Sequence, residues 1–413
     1  MARSPFSPGF WRSPLRGPRL TAALGVVLLV GMPVLFMTGL LSYAAYNPDL
    51  AGVNDKTPDK GLLGLYLFSW PTNPHWLYRF TQGVHVTLGI ALVPVLLAKL
   101  WSVVPRLFAL PPVRSLAHAL ERLSLLLLVG GALFQFLTGI LNIQLDYVFP
   151  GSFYPLHFYG AWVFFAAFLL HAALRTPVAL RNLRRMRAGE ETERPAADDL
   201  VARAPHAPTV SRRGAFGLVG GASLILFGTT VGRSFDGLPR RTALLAPHGW
   251  TDPGDGPGGF QINKTAAYAG IDREETAPDV WELVLTGPAG TLRVDRERLY
   301  EMPLYSAALP IACVEGWSTS DQWWRGVRLR DLARLAGHDD PPDVLVESLQ
   351  RRGSFRRAAL RANQVADPRS LLALSVNGEE LTLDHGYPAR IIVPAAPGVL
   401  NTKWVARMEF GDL

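Results

Sequence analysis

The sequence predicts a multi-domain membrane protein: an all-α four-helix transmembrane bundle, a fifth transmembrane helix, and then a mixed α+β domain. Three observations carry this prediction. The 413-residue chain is 49% hydrophobic with a mean hydropathy of +0.16, high for a water-soluble protein and low for one wholly inside a bilayer. Its apolar residues are concentrated, since residues 20–175 are dominated by long apolar stretches and residues 240–413 are mixed and charged. Four of those stretches reach the roughly 20 residues that a helix needs to cross a bilayer, whereas later segments alternate apolar and polar residues as strands do.

The organisation follows in order. Residues 1–19 are a basic tail bearing Arg3, Arg12, Arg16 and Arg19, and residues 20–180 hold the four helices, over Leu20–Ala45, Phe80–Val104, Leu123–Ile143 and Tyr154–Leu174. Arginines recur on alternate loops: Arg106, Arg114 and Arg122 between the second and third helices, and Arg175, Arg181, Arg184, Arg185 and Arg187 after the fourth. The other loops carry Asp49, Asp55, Asp59 and Asp146. The positive-inside rule then puts the N-terminus in the cytoplasm and the C-terminal domain outside, with Trp70 and Trp76 near the outer interface and Trp101 near the inner one. The net charge of +7 is accounted for by this topology. No nucleic-acid-binding motif is present, so nucleic acid is not an expected partner.

Residues 181–213 read as a charged, proline-bearing cytoplasmic linker, and residues 214–232 as the fifth helix, strongest over Ala215–Val231. The linker ends in Ser211-Arg212-Arg213-Gly214-Ala215-Phe216, which resembles a twin-arginine export signal set inside the chain. An ordinary arginine flank of a membrane helix is the alternative. No small-residue cleavage site follows, so the helix is expected to stay as an anchor.

Ionisable side chains inside membrane spans are costly and usually functional. His85 lies near the outer end of the second span, and His157 and His171 near the outer and inner ends of the fourth. The fourteen residues from His157 to His171 are nearly four whole turns, so both face the same way about 21 Å apart along the axis. Such a helix offers one ligand to each of two stacked haems, and neutral imidazole is a common axial ligand of haem iron. The spans resemble the four-helix cytochrome b subunits of bacterial dehydrogenases, including the b561-like group. By depth, His85 and His157 pair on an outer haem b. For a second, inner haem, His171 needs a partner, and His118 at the start of the third span is the candidate; without it there is one haem. His75 lies in a loop and reads as surface.

From residue 240 to 413 strands dominate, with short helices. Trp281–Gly287 alternates and ends at a turn; Leu371–Val376, Ala389–Val393 and Trp404–Phe410 are further strands. Val327–Ala336 has helical spacing, with Gly337 as its stop. Asn377-Gly378 and His385-Gly386-Tyr387-Pro388 are turn signals.

The single cysteine, Cys313, cannot form an internal disulfide, which leaves packing, a reactive thiol or a metal bond. Ala312-Cys313-Val314-Glu315-Gly316-Trp317-Ser318, then Trp324-Arg325-Gly326-Val327-Arg328-Leu329, resembles the cysteine loop of the sulfite oxidase fold. That resemblance implies that the Cys313 thiolate is the one protein ligand of a molybdenum held by a pterin dithiolene. A soft sulfur donor suits such a metal. The closing motif, His385-Gly386-Tyr387-Pro388-Ala389-Arg390-Ile391-Ile392-Val393-Pro394 and Asn401-Thr402-Lys403-Trp404, resembles the end of the same cofactor domain in sulfite oxidases and plant nitrate reductases. It implies that His385, Arg390 and Lys403 hold the molybdopterin and its phosphate, as fixed cations can. In Gln261–Ala267, Asn263 is the implied contact from an asparagine-bearing loop, against a plain turn residue as the alternative. Glu315 and Trp317 adjoin the cysteine, either shaping its pocket or packing.

Two departures bear on subtype. The chain stops at Leu413 after the cofactor domain, where sulfite oxidases continue into an immunoglobulin-like domain, and no sulfite-binding arginine cluster is identifiable. The chain is closer in pattern to the periplasmic methionine sulfoxide reductase catalytic subunit, in which a cysteine is also followed by Val-Glu. The resemblances together imply a membrane-bound oxidoreductase of the cytoplasmic membrane that transfers an oxygen atom to or from a small extracytoplasmic substrate and exchanges electrons through haem b with the quinone pool, with or without a redox partner subunit. A sulfite-type oxidase donating electrons to the membrane, and a metal-free binding or sensory membrane module, are the alternatives.

Overall fold

The structure is a computed structural model that describes residues 4–6, 10–11, 13, 15–16, 18–54, 57, 66, 68–108, 115–143, 153–187, 206–235, 238–241, 243, 256–262 and 264–413. Asn263 and most of the predicted linker lie outside the described residues. The chain divides into two compact units, residues 1–37, 87–140 and 156–228 in one, and residues 38–86, 141–155 and 229–413 in the other.

Five long helices occur where apolar stretches predict them: α1 (Pro18–Ala44), α2 (Leu77–Leu107), α3 (Leu116–Asn142), α4 (Phe153–Arg187) and α5 (Arg212–Val231). Each is long and apolar enough to cross a membrane, judged by length and composition. α4 runs thirteen residues beyond the predicted end through Arg181 and Arg184, because Leu, Arg and Met are good helix formers once the apolar run is over. In the first unit Leu24, Leu28, Leu92, Leu96, Phe164 and Phe168 share one buried cluster. Val30, Leu126, Leu137, Leu169 and Leu224 are instead exposed. So much outward apolar surface suits lipid rather than water.

The second unit holds two five-stranded sheets. After the short helices α6 (Leu238–Arg241) and α7 (Ala266–Ala269) come β1 (Glu282–Gly287), β2 (Gly290–Asp295), α8 (Arg296–Glu301), β3 (Tyr305–Leu309), β4 (Gln322–Arg328), α9 (Leu329–Leu335), β5 (Val344–Ser348), β6 (Arg357–Leu360), α10 (Ala362–Ala366), β7 (Leu371–Val376), β8 (Glu379–Glu380), β9 (Arg390–Ile392) and β10 (Val405–Phe410). One sheet runs β2-β1-β10-β5-β6 with β1 parallel to β10; the other runs β3-β4-β7-β8 with β9 also on β7. The alternation read in β1 is a burial pattern: Leu283 and Leu285 are fully buried beside Val346, Leu329, Ile391 and Met408. Burying each such side chain contributes about 1.5–3 kcal/mol. The predicted Ala389–Val393 strand is trimmed to β9. Pro388 precedes it without an N–H to give, and at its other end the Val393 N–H goes to the Asn401 side chain at 2.8 Å.

One expectation for the loop before α2 is corrected. Trp70 is not an interfacial belt residue: it is 1% exposed, and its Nε1 donates to the carbonyl of Ala395 at 2.7 Å. His75 is a surface loop residue, as expected; its carbonyl accepts from Ala395 N at 3.0 Å and its Nε2 lies 3.3 Å from Asp321. An indole N–H seeks a partner when buried, and here a domain carbonyl supplies it.

Candidate active site

The cysteine loop joins β3 to β4. Backbone bonds tie its neck: Cys313 N donates to Trp317 O (2.9 Å), Gly316 N to Cys313 O (3.0 Å) and Thr319 N to Ile311 O (2.9 Å), while Ile311 N donates to Thr319 Oγ1 (2.9 Å). The closed turn is possible because Gly316 takes φ of +83°, which L side chains rarely adopt. Cys313 is 3% exposed and unpaired, and burial, with the nearby Glu315 carboxylate, pushes its thiol well above the usual range. Trp317 Nε1 donates to the Glu315 carboxylate, so these two neighbours pair with one another inside the loop.

The closing motif gathers His385, Arg390 and Lys403. His385 ends a 3₁₀ turn whose first hydroxyl, Thr382 Oγ1, accepts from His385 N at 3.2 Å. Gly386 follows at φ of +110°, and a Cβ there would lie 3.1 Å from the Cβ atoms of both Arg390 and Lys403. Glycine thus lets the two cationic stems converge. His385 Nε2 lies 2.7 Å from Gly258 O, with the ring stacked on Phe260 at 4.0 Å. Arg390 donates to His385 O (2.9 Å) and Asn401 O (3.3 Å) and sits over the Trp324 ring. Lys403 Nζ donates to Lys264 O (2.8 Å) and Asp384 O (2.7 Å).

All three are buried, and the hydrogen bonds of Arg390 and Lys403 end on backbone carbonyls. Their electrostatics record the strain of that arrangement. Burial brings His385 down to about 4 and Arg390 to about 9; burial, then repulsion by Arg390 and Lys264, brings Lys403 well below the lysine range. Arg390 Nε has no hydrogen-bond partner. Burial holds these basic groups away from their charged forms and leaves Arg390 a spare donor, so an anion fits here, and a phosphate fits best because it favours the charged forms and accepts several charge-assisted bonds at once. Cys313 belongs to the same unit. Trp324, under Arg390, shares a buried cluster with Cys313. The residues present therefore suit a pterin phosphate at one end and a sulfur-ligated metal at the other.

The stretch around Asn263 also reaches this cluster, through the carbonyl of Lys264 on Lys403 and through Ala266 N donating to Asp384 Oδ1 at 2.7 Å.

Four residues near the cysteine are absent from the sequence reading. The hydroxyls of Tyr46 and Tyr78, both buried, are 3.4 Å apart, and both rings interact electrostatically with Cys313. Gln82 Nε2 donates to Val314 O, and Arg233 Nη1 donates to Glu315 O at 3.4 Å. Nothing local marks them, because each comes from a segment far in sequence from the loop.

The helix histidines have matched settings. In the second unit Thr38 Oγ1 lies 3.1 Å from His85 Nδ1, and a Cβ on Gly39 would lie 3.1 Å from His85 Cε1. In the first unit Thr138 Oγ1 lies 2.8 Å from His157 Nδ1, and a Cβ on Gly139 would lie 3.3 Å from His157 Cε1. The sequence around both pairs repeats: Phe36-Met37-Thr38-Gly39-Leu40-Leu41 and Phe136-Leu137-Thr138-Gly139-Ile140-Leu141. His171 lies on α4, as His157 does, and His118 sits in the first turn of α3.

Residues 269–412 match the family described as oxidoreductase molybdopterin binding domain. Human mitochondrial sulfite oxidase is 30% identical over 159 residues, covering 32% of this chain and 29% of that protein. An uncharacterized oxidoreductase of Bacillus subtilis, YuiH, is 32% identical over 114 residues, covering 28% of this chain and 56% of that one. The sulfane dehydrogenase SoxCD from Paracoccus pantotrophus is a solved neighbour at 24% identity and a TM-score of 0.30, covering 33% of this chain and 39% of that one. The chain thus spans under a third of the length of the sulfite oxidases it matches. Residues 269–412 are a molybdopterin-binding oxidoreductase domain of the sulfite oxidase type.

Proposed function

We propose that this chain is a membrane-bound, molybdenum-dependent oxidoreductase that transfers an oxygen atom to or from a small extracytoplasmic substrate and passes the electrons through haem b to or from the quinone pool. One observation carries the reading: a buried lone cysteine on a tied loop shares a unit with a buried histidine, arginine and lysine brought together by the closing motif.

The bound molybdenum centre would supply two-electron oxygen-atom chemistry. Cys313 would be its protein ligand, and His385, Arg390 and Lys403 would hold the pterin and its phosphate. The loop's burial keeps water from the reacting atoms. Reducing an oxide to its parent compound and water takes two electrons and two protons, and a quinol can supply both; oxidation of a substrate runs the balance in reverse.

For the haem we assign His85 and His157 from their depth in the spans, with His171 and His118 for a second, inner one. A threonine behind each outer imidazole supports this, because a partner on one ring nitrogen fixes the ring for a ligand on the other. The cysteine loop meets α2 at Val86, the residue after His85, which supports electron exchange between the centres. The alternating arginine loops support an N-terminus in the cytoplasm, the redox domain outside, and the twin-arginine-like motif as an export device for a cofactor-loaded domain.

Of the two directions, the Cys313-Val314-Glu315 run favours the reductase, as in methionine sulfoxide reductase catalytic subunits. The similarity to sulfite oxidases favours the second reading, oxidation of sulfite with electrons delivered to the membrane.

Metal analysis and the absorption spectrum of purified full-length protein test the proposal. About one molybdenum per chain with a reducible b-type Soret band is the expected result. Cys313→Ser is expected to abolish turnover and spare the haem bands. Molybdenum-free protein from a cofactor-competent host would instead favour a binding module.

A further inference from the structure

Two side chains from outside residues 269–412 close on the loop that carries Cys313. Gln82, in the second turn of α2, and Arg233, in the 3₁₀ turn Gly232–Ser234 after α5, are each 4% exposed. Gln82 Nε2 donates to the carbonyl of Val314, and Arg233 Nη1 to the carbonyl of Glu315. They therefore grip the two successive carbonyls that follow the cysteine. Each head group keeps one polar atom over, because Gln82 Oε1 and Arg233 Nη2 are buried with no hydrogen-bond partner. An unsatisfied buried polar atom costs about 1–3 kcal/mol, and more when charged. Two such atoms, an acceptor and a charged donor, on groups anchored side by side at the loop, are what a small polar molecule would satisfy.

We propose that Arg233 and Gln82 are the substrate-orienting pair of the Cys313 centre, with Arg233 Nη2 donating to the oxygen of a small uncharged oxide and Gln82 Oε1 accepting from the water formed as that oxygen is reduced. This rests on the molybdenum oxidoreductase reading above. Charge decides the substrate class. Arg233 is bonded to the backbone of Glu315, whose carboxylate stays inside the loop on Trp317, so one cation is set beside one anion and the site offers a directed donor without several uncompensated charges. Arg390 and Lys403 are committed to the phosphate end. A doubly charged oxyanion such as sulfite would need several uncompensated cations here. A dipolar S-oxide or N-oxide needs one strong donor.

The test uses the full-length, cofactor-loaded protein, with dimethyl sulfoxide and trimethylamine N-oxide as neutral probes and sulfite as the charged one. Wild type, Arg233→Gln and Arg233→Lys are compared for molybdenum content, kcat, KM and the half-saturation of the oxide-induced change in the Mo(V) resonance signal. We expect Arg233→Gln to keep its molybdenum while KM and the spectroscopic half-saturation for the oxides rise at least about tenfold, and Arg233→Lys to recover part of the loss. Gln82→Leu should lower kcat for both oxides, by a smaller factor than the Arg233→Gln effect, because it loses the acceptor for the water formed. Unchanged half-saturation in Arg233→Gln overturns the proposal. So does loss of molybdenum from both arginine variants, which would make the cofactor, not the substrate, the partner of Arg233. A loaded wild type that answers sulfite and neither oxide also overturns it. Wild type without molybdenum would instead sink the oxidoreductase reading itself.

Discussion

Gly316, three residues past Cys313, lies so close to Val86 of α2 that a Cβ built on it would fall 2.5 Å from the valine Cβ. Gly316→Ala must therefore shift one of two packed backbones and also hold alanine at φ of +83°. Overpacking of this kind costs about 1–3 kcal/mol. The expected outcome is a lower melting temperature and slower oxidation or reduction of haem by substrate, since Val86 adjoins His85. Val86→Ala in the same chain should return part of the stability. A lone Gly316→Ala with wild-type melting and wild-type haem kinetics would show that the contact is slack.

What sequence could and could not reveal divides along sequence distance. Cys313 and the His385, Arg390 and Lys403 set sit in short runs that resemble those of the sulfite oxidase fold, so sequence could single them out as candidates. Gln82 and Arg233 were not, because each looks like an ordinary polar residue near a helix end until the loop arrives beside it. Trp70 failed for a related reason: a tryptophan at a membrane interface and one anchoring a loop to a folded domain have the same local composition. The Thr38-Gly39 and Thr138-Gly139 repeat was present in plain text. Without the structure it reads as two small-residue pairs in apolar helices, and only the imidazole against each gives it meaning.

The cation cluster makes stability depend on pH in a stated direction. His385 titrates at about 4 when folded and near its ordinary 6.5 when unfolded. Between those values the unfolded chain binds the extra proton, so stability rises with pH and is lost as pH falls from about 6.5 to about 4. A shift of this size is worth on the order of 3 kcal/mol. Lys403, held well below its ordinary range, acts with the same sign at higher pH. A bound phosphate favours the charged forms and opposes both effects. Melting temperature against pH should therefore fall more steeply on the acid side for cofactor-free protein than for loaded protein, and His385→Gln should flatten the cofactor-free curve. Equal slopes in loaded and cofactor-free protein would argue against an anion at this cluster.

The paired threonines give a spectroscopic prediction. Thr38→Val and Thr138→Val keep side-chain shape and remove the hydroxyl beside His85 Nδ1 and His157 Nδ1. Loss of such a supporting partner lowers metal-site affinity by about 10–100-fold. With haem on His85 and His157 as proposed, each variant is expected to lower its retention during purification and to shift its resonance signals in the same sense. Full haem occupancy with unshifted signals in either variant would remove that histidine from the ligand set.

The segment between α1 and α2 predicts a stability result that its loop character hides. Asn47 Nδ2 donates to Ala359 O (3.2 Å) and Gln364 Oε1 (2.9 Å), Asn54 Oδ1 accepts from Ala359 N (2.6 Å), and Arg361 bridges Asp49 and Asp343 at 2.9 Å each. Trp70 adds its indole bond to Ala395, and its carbonyl accepts from Asn363 at 2.9 Å. These residues complete the redox domain's own hydrogen bonding, so the loop is part of that domain's fold. Removing a buried indole costs about 3–5 kcal/mol, whereas trimming an exposed one usually changes stability by under about 1 kcal/mol. Trp70→Ala should therefore lower the denaturation midpoint of the full chain far more than Trp76→Ala, whose side chain is 46% exposed. A fragment of residues 256–413 should melt well below the same domain in the intact chain, because Ala359, Gln364 and Ala395 lose these partners. Equal midpoints for the fragment and the intact chain would mean that the loop only lies against the domain and contributes nothing to its stability.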